Sequence, residues 1–149
     1  MTFSIMTKTV KTGVEAGVAT LTLNRPKEMN SFDADTARAI VEAVDGFAAD
    51  ADVRVLVVAG EGPSFSAGGD FNWVLTWPNL DAITRRVGAD AMMGAVQAVY
   101  DFPKHSIARV HGAAVGGGSY LATRCDLIVA KRNVRLGMRE IQGGEQSGG

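Results

Sequence analysis

The sequence has a single cysteine, Cys125, among its 149 residues. No disulfide can therefore close within the chain, and no grouping of Cys and His has the spacing of a zinc site. This fits a reducing, cytoplasmic setting. No apolar run approaches the length of a membrane span, and Met1 to Lys11 lacks the charged start and apolar stretch of a secretory signal. The expectation is a soluble, unexported protein with no membrane partner. Charge of one sign is lacking too: Lys+Arg 15 against Asp+Glu 16 give a formal net charge of -1. Without the basic footprint that phosphate-backbone binding requires, nucleic acid is excluded as a partner.

The chain is 46% hydrophobic and 21% charged, ordinary values for a globular protein able to bury a core. One domain over residues 1–149 follows from the length. Glycine is the outlier, with 18 residues concentrated at 60–69, 112–118 and 143–149. Clustered glycine marks backbone that turns tightly or approaches something closely.

Val18 to Leu23 alternates apolar and threonine positions after the turn-like Val14-Glu-Ala-Gly17, which predicts the second strand of a hairpin. Asn24 to Asn30 reads as a polar loop, because Pro26 breaks pairing and biases Arg25 away from helix. Ala37, Ile40, Val41, Val44, Phe47 and Ala48 recur at helical spacing, with Asp33 as the N-cap. Val53 to Ala59 is almost unbroken by polar residues, as in a parallel strand covered on both faces. A short piece containing Trp73 and Trp77 leads to a longer helix over about 81–101, with Ile83, Val87, Ala91, Ala95, Ala98 and Val99 on its apolar face and Pro103 stopping it. Ser106 to Val110 is a second buried strand, feeding a glycine turn and then a helical stretch from about Ser119 to Arg124. Asp126 to Ala130 is a third strand, followed by an extended Val134 to Leu136. The order strand, glycine turn, helix occurs twice, and in open α/β sheets the carboxyl ends of strands are where ligands bind.

A glycine-rich turn entering a helix presents free N–H groups at the positive end of the helix dipole. The phosphate-binding P-loop needs a Gly-Lys-Ser/Thr ending, which is missing. The dinucleotide fingerprint needs Gly-x-Gly-x-x-Gly, which Gly116-Gly-Gly-Ser-Tyr-Leu121 does not supply.

Four pieces in order carry a family resemblance: Leu23-Asn-Arg-Pro-Lys-Glu-Met-Asn30; Val55-Leu-Val-Val-Ala-Gly-Glu-Gly62 running into Phe65-Ser-Ala-Gly-Gly-Asp70; Ile107-Ala-Arg-Val-His-Gly-Ala-Ala-Val-Gly-Gly-Gly118; and Cys125-Asp-Leu-Ile-Val-Ala130. Together they resemble the crotonase superfamily, the enoyl-CoA hydratases and isomerases. The resemblance implies an α/β fold, the ClpP/crotonase spiral of ββα units, here ending before the C-terminal helical region, since family members usually continue well beyond Gly149. It also implies an acyl-CoA thioester as substrate and no cofactor other than the CoA that the substrate carries. The family's usual assembly is a trimer or hexamer that depends on the C-terminal helices.

By the same resemblance, the N–H groups of Gly69 and Gly117 point at the thioester carbonyl as an oxyanion hole. Fixed donors there stabilise the charge that develops when a proton is taken alpha to the thioester or a nucleophile adds beta to it. CoA would run along Lys27, Met29, Asn30, Ala67, Gly68 and Asp70, with Gly116 and Tyr120 also contacting substrate. Family hydratases use two glutamates. The first falls at Tyr120 here, a departure that counts against simple water addition and makes Tyr120 a pocket-shaping aromatic. The second falls at Glu140, preceded by Arg139 where the family usually has proline, and double-bond isomerases of the family work with this carboxylate alone. Glu145 is a rival for the role. Asp70 also suits a loop-organising acceptor, while His105, His111 and Cys125 read as structural residues. Trp73, Trp77 and the Met92-Met93 pair are candidates for an acyl pocket or for helix core. The competing reading is a catalytically impaired or truncated acyl-CoA-binding member, and a weaker one is an unrelated nucleotide-binding domain.

Overall fold

Ala16 and Gly17 both take positive φ, 50° and 80°, the backbone of the two-residue turn whose twist matches an antiparallel hairpin. They join β1 (Val10–Glu15) to β2 (Val18–Leu23), with Glu15 opposite Val18. A computed structural model describes residues 7–138. After the Asn24–Asn30 loop, α1 (Ala34–Ala49) starts where the Asp33 side chain accepts from the Thr36 N–H. β3 (Val55–Gly60) then pairs parallel to β2. A loop through Phe65 to Asp70 enters α2 (Phe71–Thr76), and α3 (Ala82–Tyr100), capped by Asp81, returns the chain to β4 (His105–Val110). β5 (Ala113–Val115), α4 (Gly117–Thr123), β6 (Leu127–Ala130) and β7 (Arg135–Gly137) complete the order. The main sheet runs β1-β2-β3-β4-β6, and β5 pairs with β7 in a separate two-stranded sheet.

The register explains the core. Leu21, Val58 and Ala108 form one cross-strand row, and all are fully buried together with Ile40 and Phe47 of α1, Ala95 and Val99 of α3, and Leu121 of α4. The helices therefore cover one face of the sheet. The next row, Thr20, Val57, Ile107 and Leu127, points the other way: Val57 and Ile107 are half-buried and Leu127 is 62% exposed. This corrects the expectation that β3 is covered on both faces. The long apolar run in β3 reflects a dry face and a half-buried one, which hydrophobicity alone does not separate.

Two other expectations change. α3 buries Gly88, Ala95, Val96 and Val99, whereas Ile83 is 78% exposed and Val87 57% exposed. Its C-terminal half packs on α1 and the sheet, but its first turns extend past them and meet α2, where the Trp73 ring lies over Gly88. The glycine turn after β4 contains β5, and the helix begins at Gly117 rather than Ser119. Three residues become a strand here because distant β7 pairs with them, a signal no local pattern carries.

Among the described residues, no helix is long and apolar enough to cross a membrane. Cys125 is buried at the end of α4. Burial pushes its thiol up to about 12, with a hydrogen bond from Ser106 opposing and the Asp126 carboxylate adding to the rise. A raised folded-state value means that this contribution to stability is whole below the ordinary value of 9.0 and lost as pH climbs toward 12. Chemical denaturation followed at increasing pH above 9 should show a falling midpoint in the parent chain and a shallower fall in Cys125→Ala. Parallel slopes would contradict the burial argument.

Candidate functional site

The site is built around an extended segment, Phe65 to Asp70, that is paired on both flanks. On one flank the Ser66 N–H donates to Ala113 O at 3.0 Å and the Val115 N–H to Ser66 O at 3.0 Å, tying it to β5. On the other the Ala67 N–H donates to Met29 O at 2.9 Å, the Phe32 N–H to Gly68 O at 2.7 Å and the Asp70 N–H to Phe32 O at 2.7 Å. Successive N–H groups in a strand alternate sides. Gly68, with φ +87°, reverses that alternation, so Asp70 takes the place facing Phe32 and the Gly69 N–H turns toward α4. Glycine is required at Gly68: a Cβ there would lie 2.7 Å from Gly117 N and 2.8 Å from Val115 O.

The partner donor is set by β5 and α4. The Gly116 N–H donates to Gly137 O of β7 at 2.9 Å, and Gly116 holds φ 52° with ψ -126°, a region essentially open to glycine alone. That bend starts α4 at Gly117, whose N–H has no carbonyl four residues back to receive it. A Cβ on Gly117 would stand 3.6 Å from Gly69 N, so the two glycine backbones face each other closely. Among the described residues, neither the Gly69 nor the Gly117 N–H has a hydrogen-bond acceptor. Beside Gly69 stand the Met92 methyl and Val74, 3.1 and 3.9 Å from where a Cβ would be.

The loop ahead of α1 fixes this arrangement from below. Pro26–Glu28 forms one 3-10 turn, after which Met29 and Asn30 both adopt left-handed backbone. The buried Asn30 amide donates to Glu61 O and Ser64 O, both at 2.8 Å, and accepts from the Arg25 N–H at 2.8 Å. Ser66 Oγ donates to Asn30 O at 2.8 Å and accepts from the Gly68 N–H at 3.1 Å. Arg25 reaches Asp70 Oδ2 at 2.9 Å and Ser31 O at 2.8 Å, and stands 3.8 Å from Asp33. Burial acts on the Asp33 carboxyl to raise its pKa, but hydrogen bonds from the Thr36 N–H and hydroxyl and the Arg25 charge together hold it below the usual range.

Two grooves open along this segment, and the larger is bordered by Gly69. A groove of about 920 Å³ is lined by Lys27, Met29, Ala67, Gly69, Asp70 and Gly116, among others. A second, of about 620 Å³, shares Met29 and Ala67 and is otherwise walled by β5, β7 and the residues flanking β7. The structure thus gathers most of the residues singled out from sequence. Asn30 and Gly68 lie beneath the groove surface as framework, and Gly117 sits where the two glycine segments meet. Tyr120 is 43% exposed on α4 and lines neither groove. Asp70 lines the larger groove and also caps α2, accepting from the Asn72 and Trp73 N–H groups. Trp73 and Trp77 pack edge to face, centroids 5.1 Å apart, and Met93 is 61% exposed. Arg139, Glu140 and Glu145 lie outside the described residues. Sequence reasoning passed over Arg25 and Ser66. The alternation of Ser64, Phe65 and Ser66, with the phenyl ring fully buried, was the available sign that this glycine-rich loop is strand-like.

The Enoyl-CoA hydratase/isomerase family matches residues 13–148. The crotonyl-CoA hydratase of Syntrophomonas wolfei is 35% identical over 128 residues, 85% of this chain and 48% of that protein. The 1,2-epoxyphenylacetyl-CoA isomerase of Escherichia coli is 33% identical over 126 residues, 84% of this chain and 48% of that protein. The solved structure of an enoyl-CoA hydratase/carnithine racemase from Magnetospirillum magneticum superposes with a TM-score of 0.86 at 28% identity, covering 94% of this chain and 52% of that one. The fold is the α/β architecture of the crotonases. The chain belongs to the enoyl-CoA hydratase/isomerase family, and it spans about half the length of the curated relatives it matches.

Asn30 gives a direct test of the framework. Asn30→Ala leaves buried partners unsatisfied and places alanine in left-handed backbone, which together cost roughly 3 kcal/mol. Asn30→Asp should be worse, since it turns a carboxylate oxygen toward two carbonyls. Urea denaturation of both variants checks the order.

Proposed function

We propose that the protein processes acyl-CoA thioesters by stabilising a thioester enolate between the Gly69 and Gly117 N–H groups, with Glu140 carrying the proton. The observation that carries this reading is the facing pair of N–H groups that have no acceptor among the described residues, set against a groove with Lys27 on its wall. In the step proposed, the carboxylate takes a proton from the carbon alpha to the thioester. The electron pair of the broken C–H bond moves onto the carbonyl oxygen, and the two N–H groups bind the charge that forms there. Return of the proton at the gamma carbon shifts the double bond. Donors already fixed by backbone pairing need no reorganisation as charge develops, and one such donor is worth roughly 3 to 4 kcal/mol. β7 supports a role for Glu140, because Gly137 is bonded to Gly116 and Glu140 follows three residues later. Enoyl-CoA isomerase-like chemistry is preferred over hydration, since the position of the first family glutamate is Tyr120, on an exposed part of α4. The working protein is a cytoplasmic homotrimer or hexamer that uses no cofactor beyond the CoA of its substrate.

The same Tyr120 observation favours one alternative, an acyl-CoA-binding member without turnover. Isothermal titration with butyryl-CoA tests what the two readings share: absence of binding by the folded chain would sink both. Exchange of the alpha proton into deuterated water separates them. Exchange should be abolished by Glu140→Gln with binding retained, and Gly117→Ala, whose methyl would press the Phe32 ring at 3.2 Å and stand 3.6 Å from Gly69 N, should lower it by about two orders of magnitude. Exchange that survives both substitutions would remove the assigned roles.

A further inference from the structure

Arg25 touches neither glycine donor, yet its side chain spans the contact that aims one of them. Phe32 and Gly69 form a parallel bridge whose two hydrogen bonds use Gly68 O and the Asp70 N–H. The Arg25 Nη1 donates to the carbonyl of Ser31, the residue just before Phe32, at 2.8 Å. Its Nη2 donates to the carboxylate of Asp70, the residue just after Gly69, at 2.9 Å. One planar guanidinium therefore staples both strands of the bridge. The pair is shielded, with side chains 17% and 11% exposed, so it is less screened than a surface ion pair. Asp70 uses its other oxygen on the Asn72 and Trp73 N–H groups, which fixes the exit of the segment into α2. From these contacts we infer that Arg25 is a positioning residue for the Gly69 N–H, an inference that rests on the donor reading above. Its role is to hold Asp70 so that the Gly69 peptide cannot rotate when charge develops on a bound thioester oxygen. Lysine cannot substitute, because a single ammonium lacks the flat fork that meets a carbonyl and a carboxylate together.

The test uses a spectroscopic signature that fold loss alone does not mimic. Isotope-edited infrared difference spectra of bound butyryl-CoA report polarisation of the thioester carbonyl, which moves to lower frequency when donors engage it. In the parent chain the band should shift on binding. In folded Arg25→Lys the shift should shrink by about half or more, with kcat for alpha-proton exchange down about ten-fold or further and KM nearly unchanged. Should Arg25→Lys fail to fold, Asp70→Asn keeps the Oδ1 cap on α2 while removing the charged partner, and should give the same spectrum. The double variant should be little worse than either single one, as for groups acting as a unit. A full band shift in folded Arg25→Lys and Asp70→Asn overturns the positioning role. No band shift in the parent chain with butyryl-CoA bound overturns the donor reading itself, and the two failures are told apart by which protein shows them.

Discussion

Everything at the site depends on one constraint: the segment Phe65–Asp70 must be hydrogen-bonded to a neighbour on each side while its alternation is reversed at a single residue. β5 holds Ser66 from one flank, and Met29 and Phe32 hold Ala67, Gly68 and Asp70 from the other. A segment pinned along both flanks has almost no freedom to rotate a peptide. The reversal at Gly68 then decides which N–H is left over. The unsatisfied donor is a consequence of the pairing: among the described residues, no acceptor meets the Gly69 N–H.

The framework beneath that segment is polar and largely buried, which is costly unless every group is matched. Asn30 meets this condition with both its amide donor and its acceptor engaged. The charges follow a similar logic. Arg25 faces two carboxylates, Asp33 and Asp70, and each carboxylate also receives N–H groups at the start of a helix. Those N–H groups share the neutralisation that one guanidinium cannot provide alone, and removing the guanidinium would leave two carboxylates without their common cation. The same loop thus caps α1, orders the entry to α2 and supports the wall of the larger groove.

Features set by neighbours in sequence were legible before the structure. The hairpin turn within Val14–Gly17, the Asp33 cap with the helix behind it, and the two glycine segments all announce themselves locally, although the structure narrows the turn to Ala16-Gly17 and places β5 inside the second glycine segment. Features set by distant pairing were not. β5 exists because β7 lies beside it, and Ile83 and Val87 have helical spacing yet stay exposed among the described residues. Arg25 reads as a polar residue before a proline, and its value comes from Asp70, forty-five positions away. The resemblance to a known family named the residues of the donor pair, but the reason that Gly68 itself must be glycine appears only when Gly117 N is found 2.7 Å from its missing Cβ.

Gly69 has a different reason for lacking a side chain. Nothing in its backbone demands it, since its φ is not positive, and a Cβ would meet the end of a flexible methionine, Met92, at 3.1 Å and a methyl of Val74 at 3.9 Å. Met92 and Val74 therefore fill the space that a side chain at Gly69 would otherwise share, and both are apolar. A donor pair bordered by methyl groups sits in a poorer dielectric than one bordered by water, so each N–H interacts more strongly with developing charge. In the proposed reading, glycine at this point lets substrate meet donor and hydrocarbon wall together, whereas a side chain there would press on the methionine. In that reading, the polar pairing beneath the segment aims the donor, and the apolar contact beside it strengthens the donor's hold on charge.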